Sequence, residues 1–315
     1  MGTDGPPRVR FAGDRAHVVA ASPSSLCVVV PPAIGGGQTT IRIEGSPDVT
    51  AEVLVARTLA TGLHQVDNPA FDGLGRVYVT HSGGRGVKVP VPIYRVTRDG
   101  VQESVAVEVP NPTSLALGPD GAMYASSRFE GTVYRLSADD RVEVYATELG
   151  VPTGLAFSPD GALFVGDRSG SIFRVSPGRE VDVFATLPSS VAAFHLAFGP
   201  DRCLYVSAPT FSSRDGIYRI TRDRIVDTLY DGFGRPQGLA FDSRGFLYVA
   251  EALAGASGLY RIDVTTPRTD PDLVVAAPSV IGVAFDPEGG VVLASNEVVW
   301  RFDVDLRPLS LNSPA

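Results

Sequence analysis

The chain is poor in several residue types, and each scarcity narrows the range of functions. Its 315 residues contain only two cysteines, Cys27 and Cys203, and a single lysine, Lys88. Two distant cysteines predict small buried apolar residues rather than a disulfide framework. The net charge of −8 argues against a nucleic-acid partner, because binding to phosphates needs clustered cations. The use of arginine in place of lysine indicates a bacterial coding bias.

Long apolar runs and known nucleophile motifs are also missing. No run approaches the roughly 18 apolar residues of a membrane span, so no membrane partner is expected. The opening residues do not form a signal peptide, so the chain as given is expected in the cytoplasm, or in the periplasm or outside the cell if a leader was removed. No Gly-x-Ser-x-Gly motif occurs, and neither cysteine has a plausible histidine partner. Whether the chain is an enzyme therefore stays open.

What the sequence has in abundance is repetition. A strand pattern close to Gly-Leu-Ala-Phe, a Pro-Asp-Gly-type turn and two further strands recur six times, at intervals of 40 to 46 residues. The alanine of the first strand marks each copy: Ala70, Ala116, Ala156, Ala197, Ala240 and Ala284. A period near 40 residues made only of short strands is typical of a β-propeller blade. The sequence thus predicts an all-β fold, a six-bladed β-propeller over residues 51–315.

Each copy also contains an aromatic residue followed by arginine in its third strand. The pairs are Tyr94-Arg95, Tyr134-Arg135, Phe173-Arg174, Tyr218-Arg219, Tyr260-Arg261 and Trp300-Arg301. Alternation along a strand puts the two side chains on opposite faces, and we assign these arginines no chemistry. The last copy lacks a fourth strand. We expect the segment at about 52–60, beginning with Glu52–Ala56, to supply it, since an open ring would leave unpaired edges.

Residues 1–50 differ from the repeats. Short apolar segments are separated by Pro31-Pro32 and by the glycines of 35–37, which favours strands and turns. Ala21-Ser22-Pro23, followed by Val30-Pro31-Pro32 and a glycine-rich turn, resembles the later strands of IPT/TIG domains. The resemblance implies a partial Ig-like β segment, which we expect to serve attachment or dimerisation; the oligomeric state is not predicted.

Blade topology predicts that the loops after each second strand and the connections between blades share one face. A site for a small molecule or a protein is expected at the channel mouth on that face. Three sets of candidate residues lie there: metal ligands Asp67, His81 and His195; substrate-binding Arg85, Arg128, Asn68 and Gln237; catalytic Glu251 and Asp167. Imidazole and carboxylate groups can bind a divalent metal, although the spacing is not a metal motif and a polar, water-filled channel explains them too.

The most distinctive loop on this face runs from His81 to Pro90. Its three glycines permit a close backbone approach, and Arg85 and Lys88 could hold an anion. It lacks the residue order of a phosphate-binding loop, which argues against a nucleotide. A flexible loop that caps the channel is the alternative interpretation.

The Gly-Leu-Ala-Phe, Pro-Asp-Gly and Leu-Tyr-Val pattern resembles the NHL repeats and the SMP-30/gluconolactonase group over residues 63–306. The second resemblance implies one divalent metal (Ca, Zn or Mn) at the channel mouth and hydrolysis of a lactone. The positions that correspond to the family's metal ligands hold Asp67, Thr153, Phe194 and Gln237. Only Asp67 is a conservative match, and a phenylalanine cannot bind a metal.

Three functions follow in order of preference. The first is a propeller that binds a ligand or a protein at the channel mouth. The second is a metal-dependent hydrolase of lactones or related esters, in which Glu251 or Asp167 moves a proton and an arginine holds a substrate carboxylate. The third is cyclase or lyase chemistry in the same cavity.

Overall fold

The computed structural model describes residues 7–45, 49–266 and 270–310, and the regular structure in these ranges is β-strand and turn. This confirms the prediction of an all-β chain. Within the described ranges, no helix has the length and apolar character that crossing a membrane requires. The chain divides into two compact units: residues up to 58 with Trp300–Asp303, and Leu59–Val299 with the residues from Val304 onward.

The first unit contains a five-stranded antiparallel sheet with strand order β3-β2-β1-β4-β5. Its strands are β1 (Val9–Phe11), β2 (Asp14–Ala21), β3 (Leu26–Val29), β4 (Gly37–Ile43) and β5 (Thr50–Val55). Val9, Phe11 and Ala16 are buried at the centre of its apolar side. The sheet matches the prediction of a β segment here, while its assignment as Ig-like stays a prediction.

The remaining strands form six four-stranded antiparallel sheets in the described part of the chain, consistent with a β-propeller. Sheet one contains β7 (Ala70–Phe71), β8 (Val77–Thr80), β9 (Ile93–Val96) and β10 (Gln102–Ser104). Sheet two contains β11 (Pro112–Leu117), β12 (Met123–Ser127), β13 (Thr132–Leu136) and β14 (Val142–Ala146). Sheet three contains β15 (Pro152–Phe157), β16 (Leu163–Asp167), β17 (Ser171–Val175) and β18 (Val181–Thr186). Sheet four contains β19 (His195–Phe198), β20 (Leu204–Ser207), β21 (Asp215–Ile220) and β22 (Val226–Phe233). Sheet five contains β23 (Pro236–Phe241), β24 (Leu247–Glu251), β25 (Gly258–Ile262) and β26 (Asp272–Ala276). Sheet six contains β27 (Gly282–Phe285), β28 (Val291–Ala294), β29 (Val298–Phe302) and β6 (Arg57–Thr61). The marker alanines all lie in the first strand of their sheet.

Sheet six takes its outer strand from an earlier part of the chain. Its order is β27-β28-β29-β6, so the strand beside β29 begins at Arg57. Residues 57–60 of the predicted segment at about 52–60 do lie in this strand, whereas its first part, Glu52–Ala56, was misplaced, because residues 50–55 pair with β4. The extended segment before the repeats thus supplies two consecutive strands to two different sheets.

The first strands contact one another in a cycle. Each of β7, β11, β15, β19 and β23 contacts the next, and β27 contacts β7. Between successive sheets, a second-strand aromatic ring packs edge-on against the phenylalanine of the next first strand, with ring centroids 4.8–5.1 Å apart. The pairs are Tyr124–Phe157, Phe164–Phe198, Tyr205–Phe241 and Tyr248–Phe285. This packing explains why Ala-Phe and Leu-Tyr-Val recur, since such pairs stabilise beyond the area they bury.

The arginines of the aromatic-Arg pairs have structural partners. Arg135 Nε lies 2.7 Å from Asp120 Oδ2, and Arg219 Nε lies 2.8 Å from Asp201 Oδ2. Both aspartates belong to the turns between the first and second strands. The repeated Pro-Asp turn and the repeated arginine therefore stabilise each other.

The two cysteines are free, and they differ in environment. Cys203 is buried, as predicted, whereas Cys27 is exposed, so the prediction was wrong for Cys27. Burial and the hydrogen bond with Asp201 raise the pKa of the Cys203 thiol to about 11. Cys203 is thus a protonated apolar residue at neutral pH and no nucleophile.

Candidate functional site

The predicted site residues fall into separate groups. Three of them form a buried hydrogen-bonded chain, the central chain Asp67–His195–Gln237. His195 Nδ1 bonds Asp67 Oδ1, and His195 Nε2 lies 3.1 Å from Gln237 Oε1. The exposed fractions of these three residues are 2%, 0% and 4%. Both ring nitrogens of His195 are used within the protein, so the central chain links Asp67, before sheet one, to the first strands of sheets four and five.

Asn68, predicted to bind substrate, also links strands. Its Nδ2 donates to Leu239 O at 2.9 Å, and its Oδ1 accepts from Val283 N at 3.0 Å. These bonds tie the start of sheet one to the first strands of sheets five and six. The approach is so close that a Cβ on Gly238 would lie 2.1 Å from Asn68 Oδ1, which explains glycine at that position.

The three predicted metal ligands, Asp67, His81 and His195, are not arranged around a common metal site. Asp67 and His195 bond each other, but the third predicted ligand, His81, pairs with His64 instead. Thr153 Oγ1 accepts from Phe194 N and donates to Gly166 O. Among the described residues no group of three His, Cys, Asp or Glu side chains could hold a metal ion. We therefore derive no step through a metal.

The two predicted catalytic carboxylates are buried at the ends of second strands, where they bind backbone. Glu251 accepts from the N–H groups of Gly234 at 2.9 Å, Arg235 at 2.9 Å and Leu253 at 2.6 Å. Asp167 accepts from Val151 N at 2.8 Å and from the Ser169 hydroxyl. Each carboxylate satisfies the backbone of a connection between sheets. These bonds compete with a role in proton transfer.

A second group of residues is built differently, and we call it the basic cluster: His64, His81, Arg85, Arg128 and Arg168. It lies in the connections of sheets one to three. The His64 and His81 rings pack edge-on with centroids 6.4 Å apart. Arg128 Nη2 donates to Gly83 O at 2.8 Å, and Arg168 Nη2 donates to Val191 O at 3.0 Å. The structure thus brings predicted residues His81, Arg85 and Arg128 together, and adds His64 and Arg168.

Unpartnered polar atoms concentrate at the basic cluster. Of the seven buried side-chain nitrogen and oxygen atoms without a hydrogen-bond partner in the described residues, five lie here. They are His64 Nδ1, His81 Nδ1, Ser82 Oγ, Arg128 Nε and Arg168 Nε. A buried polar group without a partner costs roughly 1–3 kcal/mol, so such groups rarely collect in one place without a purpose.

The glycine-rich loop beside the cluster is held in place by three hydrogen bonds between its backbone and the side chain of Asn111. Asn111 Nδ2 donates to Ser82 O at 2.6 Å and to Gly84 O at 2.8 Å, while its Oδ1 accepts from Gly86 N at 2.7 Å. Asn111 is 1% exposed and has a φ of 47°, in the left-handed region. Backbone strain of this kind persists only where the surroundings enforce it. The loop therefore holds Gly83 O in position for Arg128.

Positive charge in the cluster perturbs its members. Burial, followed by the charges of Arg168 and Arg85, lowers the pKa of Arg128. Burial, then Arg128 and His81, lowers the pKa of His64. In both cases neighbouring cations act in the same direction as desolvation.

A surface cavity of about 780 Å³ adjoins the cluster at Arg168. It lies between sheets three and four, and Val191, Phe211, Arg214 and Tyr218 are among its lining residues. Phe211 is 97% exposed at its rim. The volume is in the range of small-molecule sites, which typically measure about 300–1,000 Å³.

No protein-family model matches the sequence, and no curated protein matches it. Many solved structures do resemble it. A candidate gluconolactonase is 20% identical with a TM-score of 0.65, covering 81% of this chain and 93% of that one. An inactive virginiamycin B lyase from Staphylococcus aureus with quinupristin is 14% identical with a TM-score of 0.58, covering 96% of this chain and 100% of that one. An auxiliary nutrient binding protein from Bacteroides thetaiotaomicron is 13% identical with a TM-score of 0.58, covering 94% of this chain and 90% of that one.

These likenesses show a shared β-propeller fold. At 20% identity or below they show nothing further, because one fold supports many unrelated functions. Function has to be argued from the side chains of this chain.

Proposed function

We propose that the chain is a six-bladed β-propeller, of the kind formed by NHL repeats and preceded by a partial Ig-like segment, that binds a small molecule at the basic cluster. The observation that carries this proposal is the set of five unpartnered buried polar atoms at His64, His81, Ser82, Arg128 and Arg168. A ligand would supply partners that the protein lacks. The neighbouring cavity offers room for the rest of the molecule.

Two further features support a binding role. The Asn111 bonds preorganise the loop that carries Ser82 and Gly83, which reduces the entropy lost when a ligand binds. One structural neighbour is itself described as a nutrient binding protein, which shows that this architecture can serve binding. The identity of the ligand cannot be taken from that neighbour.

A lactone or ester hydrolase is the second proposal, favoured by the likeness to a candidate gluconolactonase. It needs a group that activates water. Glu251 and Asp167 use both carboxylate oxygens and His195 uses both ring nitrogens in hydrogen bonds within the protein, and of these groups only Asp67 Oδ2 lacks a partner among the described residues, so this proposal ranks below binding. A cyclase or lyase is a third and weaker candidate for the same reason.

A thermal-shift screen tests the binding proposal. Neutral, anionic and cationic small molecules would be screened against the wild-type chain, and hits repeated with His81→Leu and with His17→Leu, a control at an exposed position of β2. We expect at least one compound whose shift is lost in His81→Leu and kept in His17→Leu. Hits that bind both variants equally, or no hits, would contradict the proposal. Incubating the chain with lactones, with and without divalent metals, tests the hydrolase in parallel.

A further inference from the structure

The arginines of the basic cluster lack the carboxylate partners that the arginines of the third strands have. Arg95, Arg135 and Arg219 each lie within 4 Å of an aspartate or glutamate oxygen. Within the described residues, Arg128 and Arg168 have no such ion pair, and each is anchored only by one backbone carbonyl. Both arginine side chains are only partly exposed, so their charges are incompletely solvated, and an anion would neutralise them.

The free donors are suited to an oxyanion. With one Nη2 held by a carbonyl, each guanidinium keeps an unpartnered Nε–H. Guanidinium groups bind carboxylate and phosphate oxygens through directional, charge-assisted bonds. Ser82 Oγ and the two Nδ1 atoms add groups that can donate to the same ligand.

The electrostatics agree with this geometry. The lowered pKa values of Arg128 and His64 arise from burial together with repulsion between neighbouring cations. A bound anion would relieve that repulsion. Arg85, exposed at the tip of the loop, adds positive charge at the entrance and would attract an anion from solution.

We propose that the ligand of the basic cluster is an anion, held through a carboxylate or phosphate group between Arg128 and Arg168. This inference rests on the proposed binding function and names the chemical class of its ligand. The two guanidinium groups bind the oxygens, Ser82 and the histidines complete the polar contacts, and the pinned loop keeps Arg128 in place. Any apolar part of the ligand extends from Arg168 toward Phe211 and Tyr218 in the cavity.

Calorimetric titration of the full chain tests the inference with three probes: succinate, its neutral analogue succinamide, and inorganic phosphate, at constant ionic strength. We expect succinate or phosphate to bind and succinamide not to bind. Arg128→Met and Arg168→Met should each weaken anion binding at least tenfold. Arg222→Met is the matched control, since it removes the same charge from an exposed turn after β21, and it should leave the affinity unchanged.

The three probes distinguish a carboxylate ligand from a phosphate ligand. Binding of succinate alone assigns a carboxylate ligand, phosphate alone a phosphate ligand, and both a general oxyanion site. Arg128→Lys controls for misfolding, because it keeps the charge and should bind the anion more tightly than Arg128→Met does. Equal binding of succinamide, no binding of either anion, or anion binding that survives Arg128→Met together with Arg168→Met would overturn the inference. A neutral compound that binds and is lost in His81→Leu would leave the binding function intact while refuting its anionic class.

Discussion

Two regions of this chain contain histidines, one buried and one partly buried, and they differ in whether the ring nitrogens have hydrogen-bond partners. In the central chain, His195 uses both ring nitrogens, one on Asp67 and one on Gln237. In the basic cluster, His64 and His81 each keep an Nδ1 without a partner. The first arrangement is satisfied within the protein and holds strands together, and the second contains the unpartnered atoms to which we assign the proposed ligand. The residue types alone do not separate the two, since histidine next to polar neighbours occurs in both.

The largest expected effect comes from breaking the complete region. His195→Phe leaves the buried Asp67 carboxylate with only the Asn68 N–H as a partner and leaves Gln237 Oε1 unpaired, and each unsatisfied buried polar group costs roughly 1–3 kcal/mol of unfolding free energy, more for a charged one. Guanidinium unfolding would measure this loss. Adding Asp67→Asn should recover part of it, because the amide removes the unpaired charge. A loss below about 1 kcal/mol would contradict the structural role of the central chain.

Glu251 tests whether a predicted catalytic carboxylate is a structural one. Glu251→Gln weakens three charge-assisted bonds to backbone N–H groups, which should cost on the order of 1–3 kcal/mol in unfolding free energy. Glu108→Gln, at an exposed position, is the control and should cost close to nothing. If Glu251→Gln keeps full stability but abolishes a measured activity, the catalytic assignment was right after all.

Two buried serines, one with a hydrogen-bond partner and one without, allow the same comparison with a smaller expected effect on stability. Ser207 and Ser82 are both 0% exposed, but Ser207 Oγ donates to Gln237 O whereas Ser82 Oγ has no partner. Ser207→Ala should cost about 1 kcal/mol, and Ser82→Ala should be neutral or stabilising by up to about 1 kcal/mol. Chemical unfolding of the two variants side by side measures the difference. Equal losses would mean that Ser82 has a protein partner after all.

The smallest effect concerns pH. Because burial, Arg128 and His81 lower the pKa of His64, the unfolded chain binds a proton at His64 more readily than the folded chain does. The stability of the wild type relative to His64→Gln should therefore fall as pH drops through about 6.5, the usual histidine value. Unfolding curves at pH 8, 7, 6 and 5 give this difference, with His17→Gln as the exposed control. A difference that is constant with pH would refute the shift.

The fold was readable because its signals are local and repeated. The marker alanines all lie in first strands, and the aromatic-Arg pairs all lie in third strands. The outer strand of sheet six was harder to locate, because Glu52–Ala56 is the more apolar of two adjacent segments although Arg57–Thr61 is the one beside β29. Only pairing across the whole chain distinguishes them.

The site was harder to predict, because the sequence shows which polar groups are present but not which of them already have hydrogen-bond partners within the protein. Asp67 and His195 were grouped correctly, yet their mutual bond removes them as ligands. Ser82, His64, Asn111 and Arg168 were not assigned a role in the site. The glycine-rich loop was the one signal that pointed to their neighbourhood, and the lack of a partner at Arg128 and Arg168 emerges only from packing.

The closing strand β6 has a consequence for how the protein is made. Arg57–Thr61 leaves the ribosome early, but its partner β29 begins at Val298, after every other strand of the six sheets has been synthesised. Until β29 is present, β6 lacks its neighbour in sheet six, and unpaired strands of this kind associate with other chains. Sheet six therefore cannot be completed before β29 has been synthesised. A chain truncated before β29 would leave both β28 and β6 without the strand that lies between them.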